Sequence, residues 1–198
     1  MANILVLVSY NVFPAKMGGQ KAVVNLYKHL SEHHKIHFVV SSDNGFANDY
    51  SVERILFPHG RMLWNIFRLR RLKNCCRKLK IDLIIAEHSY TGWLAYLLKK
   101  ITGIPFLIRS HNIEASRFRQ MKRRLWRLYG AYEKLIHQKA DFHFFISEED
   151  KATAIQKFAL SPAKCETIPY GITRSKEMIA AGKQLAEKFG IRTTNVFY

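Results

Sequence analysis

The chain has 198 residues, 48% hydrophobic and 24% charged, the proportions of a globular protein that folds and stays in water. It carries 32 Lys and Arg against 15 Asp and Glu, a formal net charge of +17 that favours anionic partners: phosphorylated substrates, nucleic acid or acidic lipid. No stretch reaches the roughly 18 continuous apolar residues of a membrane span, and the opening Met1–Val8 lacks the basic start of a signal peptide.

Ile4–Val8 is a continuous aliphatic run, the mark of a strand covered on both faces. A loop over Ser9–Lys16 leads to Gly18 and Gly19, after which Val23, Leu26, Tyr27 and Leu30 recur at helical spacing. Lys35–Val40 and Glu53–Phe57 predict strands, Arg61–Lys80 one long basic helix, and Asp82–Ala86 another buried strand. A helix near Thr91–Ile101 is closed by Gly103 and Pro105. Phe106–Ile108 is a strand, Arg117–Lys139 a long helix and Asp141–Ile146 a strand. Ser147 then caps a helix with Glu148, Glu149 and Asp150 in its first turn. Cys165–Ile168 is a last short strand. Strands alternating with helices imply an α/β fold: a Rossmann-like, doubly wound parallel sheet. Beyond it, Ser175–Phe189 reads as a helix ended by Gly190 and Asn195–Tyr198 as an opening strand, so the expected organisation is a domain over 1–172 and the start of a second over 173–198. Cys75, Cys76 and Cys165 form no CxxC pair, and are read as reduced thiols of a cytosolic protein.

Gly18 and Gly19 stand where a buried strand gives way to a helix. Unpaired amides at that point suit a phosphate, and a tight turn needing positive φ is the competing explanation. There is no GxGxxG and no GxxxxGK[ST]. In open α/β sheets ligands bind beyond the carboxyl ends of the strands. Arg109-Ser110-His111-Asn112 and Glu87-His88 both follow strands in that way, and share one rim if those strands are neighbours. His33 and His34 have no metal-ligand spacing with any partner. Arg61–Lys80 holds eight bases and no acid, and Arg117–Arg127 adds six bases with Phe118, Leu125 and Trp126 interleaved. Such helices suit an anionic membrane surface, or simply a core-facing stripe with a solvated outer face. No RNP, zinc or helix-turn-helix signature supports nucleic acid.

Four segments in order carry a resemblance: the strand–Gly18-Gly19–helix opening, Phe106–Asn112, Ala140-Asp141 leading to Ile146–Asp150, and Ile168-Pro169-Tyr170-Gly171-Ile172. Together they resemble the N-terminal, acceptor-binding half of family-4 glycosyltransferases, retaining enzymes of the GT-B fold. Tyr170 stands where that family usually has Asn. The resemblance implies transfer of a sugar from a nucleotide-sugar substrate, with no further cofactor and no metal, to a glycan or lipid-linked acceptor. It makes His111 the catalytic histidine and puts Gly18 and Gly19 near the donor phosphates and the acceptor; together with Gln20 and the rim residues Glu87, His88, Arg109 and Asn112 these form the candidate acceptor- and phosphate-binding set. It leaves the donor half, with its E-x7-E motif, outside this chain, so that the isolated chain is expected to be inactive. The implied location is the cytoplasm, with the inner face of the membrane as a peripheral site. Two other readings stand beside it: a non-catalytic basic module for anionic lipid or polymer, and a GT-B-fold sugar-nucleotide epimerase.

Overall fold

A computed structural model describes residues 1–171 apart from 46, 48 and 49, together with 184, 187, 188 and 190. The expected helix over 175–189, the strand over 195–198 and the boundary at 172–173 therefore lie outside the described residues, those isolated positions excepted.

Seven parallel strands form one sheet: β1 (Asn3–Val8), β2 (Lys35–Ser41), β3 (Ser51–Leu56), β4 (Leu83–Glu87), β5 (Phe106–Ser110), β6 (Phe142–Phe145) and β7 (Cys165–Thr167), in the order β3-β2-β1-β4-β5-β6-β7. The aliphatic run of β1 explains its central place. Side chains alternate across a strand, and Ile4, Val6 and Val8 face one layer while Leu5 and Leu7 face the other. On the first side lies α1 (Gly18–Ser31), which buries Val23 and Tyr27 against Phe38 and Val40. The second side is covered by α2 (Leu69–Lys78), α3 (Gly92–Thr102) and, past α4 (Glu114–Gln120), by α5 (Trp126–Lys139), through Leu72, Leu94, Leu98 and Ile136. Helix α6 (Glu148–Phe158) completes the layer beside β7. The sheet is thus doubly wound, as the alternating pattern implies.

Caps fall where the sequence puts them. Asp150 donates its amide to Ser147 Oγ at 3.1 Å, and Gly103 closes α3 at φ +78°. Gly92 is required by contact rather than by φ, since a Cβ there would lie 2.8 Å from Ile136.

Both long basic helices differ from expectation. Residues His59–Arg68 form a 3-10 segment with a non-helical Arg61 before α2 begins. Buried Asn65 is the reason: its carbonyl accepts the Phe57 amide at 2.8 Å and its amide donates to Met62 at 3.0 Å, in competition with a regular helix. Leu63, Trp64, Ile66 and Phe67 are turned outward as a result. The second helix breaks between α4 and α5, where Lys122 takes φ +54° and Arg123 donates to Phe118. The basic run there has no acid to supply the i,i+4 pairs that would hold a helix.

The β1–α1 loop is held by a residue the sequence did not single out. Asn44 accepts the amides of Val12 (2.7 Å) and Phe13 (3.0 Å), and donates to Tyr10 and Ser41. Val12, Phe13 and Asn44 are all buried, so nothing replaces those bonds if the side chain is lost. Asn44→Ala is expected to lower unfolding stability by about 3 kcal/mol, the cost of stranded buried amides, and urea denaturation measures it.

Candidate functional site

The strand order reverses between β1 and β4. The chain runs outward from β1 through β2 and β3, then returns to the other side of β1. A crevice forms at such a switch point because the following loops diverge to opposite faces. Here it is a cavity of about 580 Å³, lined by Tyr10, by Gly19 and Gln20 of α1, by His88 after β4, by His111 and Asn112 after β5, and by Tyr170. Strands β4 and β5 are direct neighbours, with Glu87 paired to Arg109, which meets the condition for one shared rim.

Gly18 and Gly19 are the first residues of α1, not a turn, and neither has positive φ. A Cβ on either would meet nothing within 4 Å. No protein contact therefore requires these glycines. Their bareness leaves the amide end of α1 open to the cavity, where the helix dipole and unpaired N–H groups favour an anionic oxygen. Gln20 also braces the loop before the helix: its carbonyl accepts the amides of Lys16 (2.8 Å) and Met17 (2.9 Å), and its amide donates to Asn11 (2.8 Å). The loop is thereby tied to the helix it precedes.

Glu87 and Arg109 are the last and the next-to-last residues of their strands, and both are buried beneath the rim rather than standing on it. Arg109 Nη1 donates to Glu87 Oε2 at 3.1 Å, Tyr27 donates its hydroxyl to Oε1, and His111 Nε2 lies 2.6 Å from Oε2. Burial alone would push the Glu87 carboxyl up, but the Arg109 guanidinium and the His111 hydrogen bond outweigh it and hold the group at about 2. The result is a permanent buried anion that orients the His111 ring, much as a carboxylate fixes a catalytic imidazole. The other ring nitrogen, Nδ1, meets the Tyr170 hydroxyl at 2.8 Å.

His88 is the strained residue of the site. Its φ of +66° with ψ of 159° is a region that β-carbons disfavour and that recurs at functional sites. The ring packs on His111 at 4.0 Å between centroids. Burial first, then the neighbouring His111, Arg109 and Arg117 against an opposing Glu87, push its titration down to about 3. Among the described residues Nδ1 has no hydrogen-bond partner, Glu114 lying 3.5 Å away, beyond a good hydrogen-bond distance. A neutral imidazole with a spare ring nitrogen thus lines the cavity.

Sequence reasoning missed the opposite wall. Buried Glu114 accepts from Tyr90 (2.7 Å) and from Arg117 Nε (2.9 Å), which sets the half-exposed Arg117 at the cavity mouth. The E-x-x-R spacing after Asn112 was the available signal. Glu133 supports that wall by accepting the amides of Glu114 (3.0 Å) and Ala115 (2.9 Å), and burial raises its carboxyl to about 7. Tyr27, expected only as core, reaches Glu87 through its hydroxyl. Among the described residues no group of three or more His, Cys, Asp or Glu could hold a metal.

Neutral buried histidines tie stability to pH. His88 and His137 are held at about 3 and His143 at about 4, burial being the main cause in each. The unfolded chain protonates these rings below about 6.5 while the folded chain does not, so acid favours unfolding. Glu133 acts in the opposite sense, since its folded carboxyl keeps a proton up to about 7 that the unfolded one loses above about 4.5. Four histidines, His37 being lowered by burial as well, oppose the Glu133 carboxyl among the described residues. The urea midpoint is therefore expected to fall as pH drops from 7 to 5, and to fall less in a His137→Phe/His143→Phe variant.

Comparison with known proteins bears on this arrangement. A curated Escherichia coli protein, UDP-Gal:alpha-D-GlcNAc-diphosphoundecaprenol alpha-1,3-galactosyltransferase, is 24% identical over 161 residues, covering 76% of this chain and 41% of that protein. Sucrose-phosphate synthase from Thermosynechococcus elongatus matches 86% of this chain and 49% of its own, with a TM-score of 0.67 at 17% identity. UDP-N-acetylglucosamine 2-epimerase from Rickettsia bellii matches 98% and 50%, with a TM-score of 0.59 at 9% identity. The chain thus spans about half the length, or less, of these three proteins, and the sheet is of the type found in GT-B glycosyltransferases. The sequence profile of Glycosyltransferase Family 4 matches residues 17–176, from the start of α1 past Tyr170, and the chain belongs to that family.

Proposed function

We propose that this chain is the N-terminal, acceptor-binding part of a retaining glycosyltransferase, completed by a donor-binding second domain. One observation carries the reading: the open amide end of α1 and the His111 ring, backed by ionised Glu87, share a single cavity at the switch point of the sheet. This arrangement supports a site for diphosphate oxygens beside a polar group suited to a sugar hydroxyl. The α1 amides and Arg117 would stabilise the departing diphosphate, where charge develops as the glycosidic bond breaks. The Glu87–His111 pair would supply the hydrogen-bonding group at the reacting centre, with Asn112 and His88 toward the acceptor. The Escherichia coli relative suggests a uridine diphosphate sugar and a diphosphate-lipid acceptor for this chain as well.

Fold alone does not separate a transferase from an epimerase, but the family match favours the former. In the two-domain protein, assayed with uridine diphosphate sugars and a polyprenyl-diphosphate sugar, His111→Ala is expected to lower kcat at least about 100-fold. The product should keep the donor's anomeric configuration by NMR, and the 198-residue chain alone should give no turnover. Conversion of the donor without any acceptor would favour the epimerase.

A lipid acceptor fits the outer surface. Phe67 and Leu63 are 79% and 75% exposed, Trp64 is also exposed, and the same segment carries Arg61 and Arg68, with Arg70, Arg71 and Arg77 following in α2. Arg61 lies over the Trp64 ring at 5.6 Å, and Arg68 over Phe57 at 4.5 Å, so the segment is held in place with its apolar side chains outward. Among the described residues no helix is long and apolar enough to cross a membrane. A protein lying on an anionic inner leaflet suits both facts, with the bases attracted to headgroups and the aromatic and aliphatic side chains entering the interface. The free thiols of Cys75, Cys76 and Cys165 fit the cytoplasm. Vesicles containing phosphatidylglycerol are expected to sediment the chain and phosphatidylcholine vesicles not to. Leu63→Ser/Phe67→Ser should weaken that binding about tenfold, and indifference to lipid charge would count against the membrane role.

A further inference from the structure

His111 is the imidazole of the site, yet neither of its nitrogens is free and the residue is only 5% exposed. The 2.6 Å contact with ionised Glu87 puts the ring proton on Nε2, because a carboxylate can only accept. Arg109 Nη1, 2.9 Å from the same nitrogen, is then a second donor converging on that carboxylate rather than a partner of the ring. With the ring neutral, Nδ1 is the acceptor, and the Tyr170 hydroxyl 2.8 Å away is its donor. Tyr170 itself is 41% exposed and forms part of the wall of two cavities, the large one and a neighbour of about 210 Å³ floored by Arg109. Its ring is braced edge-on by His111 (centroids 5.7 Å, 72°) and by the Arg109 guanidinium 5.7 Å from its centre.

We propose that the Tyr170 phenol is the group through which Glu87 and His111 meet the substrate. The inference rests on the glycosyltransferase reading above and names a contact within it. Glu87 fixes the imidazole, the imidazole takes the phenol proton in a hydrogen bond, and the phenol oxygen keeps its lone pairs for a sugar hydroxyl. The family resemblance puts asparagine at this position, whose shorter side chain would leave the imidazole itself facing the cavity. Substrate contact in this chain is thereby moved outward by one residue, and the same ring divides the crevice in two.

The test is Tyr170→Phe, which keeps the wall and removes the hydroxyl. In the chain labelled with nitrogen-15 histidine, the His111 Nδ1 signal is expected to move toward that of a free ring acceptor, with Nε2 still protonated. In the two-domain protein kcat should fall about tenfold, the loss of one hydrogen bond made at the reacting centre, with KM unchanged. An unmoved Nδ1 signal overturns the contact. A moved signal with unaltered kcat overturns the substrate-facing role. A two-domain protein that transfers no sugar, while the signal still moves, sinks the assigned function and the substrate-facing role together, and leaves only the contact standing.

Discussion

The ion pair between Glu87 and Arg109 is the constraint on which the site depends. Both side chains are removed from water, and a buried charge is tolerable only when its partner and its remaining hydrogen bonds are in place. Here the carboxylate has three donors: Arg109, Tyr27 and His111. Each comes from a different structural unit, since Arg109 is in β5, Tyr27 in α1 and His111 in the loop beyond β5. One anion therefore fixes the position of a helix, a strand and a loop relative to each other. Replacing it with apolar packing would gain stability in principle, but would release the imidazole and leave the helix end without its reference point.

The glycine opening of α1 depends on a second set of polar contacts. Bare amides can receive an anion only if the loop before them is rigid, because a mobile loop would have to be ordered on binding. Asn44 ties that loop to the end of β2, and Gln20 ties it to the helix. Neither residue needs to touch a ligand to matter. Gln20 was placed in the binding set by its position beside the glycines, and its side chain is engaged with the protein at both ends.

Much of the fold was legible because the central strands β1, β4 and β5 carry continuous apolar runs, as strands of a sheet covered on both faces do. Glu87, His88 and the Arg109–Asn112 quartet were legible as a rim because polar residues directly follow such runs. What the sequence could not carry was depth. Glu87 lies under the rim and His88 in it, and nothing in two adjacent letters separates the two. The broken helices were hidden for a related reason. Asn65 looks like any polar residue on a basic helix until Phe57, eight positions earlier, is seen to need its carbonyl. Tyr27 satisfied the helical stripe as an apolar ring, so its hydroxyl drew no attention.

The two halves of the Arg61–Lys80 segment show how one composition serves two purposes. Leu72 and Cys76 are buried in the sheet-facing stripe of α2, which is the structural reading of an amphipathic helix. Just before α2 the same mixture is held in a 3-10 turn with Leu63 and Phe67 facing solvent. A core-facing role cannot explain side chains that face away from the core. The chain's own surface cannot cover them with a second copy at low cost either, since each copy brings +17 and Arg61–Lys80 itself holds no acid. The proposed anionic surface would resolve both difficulties at once, because it would neutralise the arginines and remove the apolar side chains from water in the same contact.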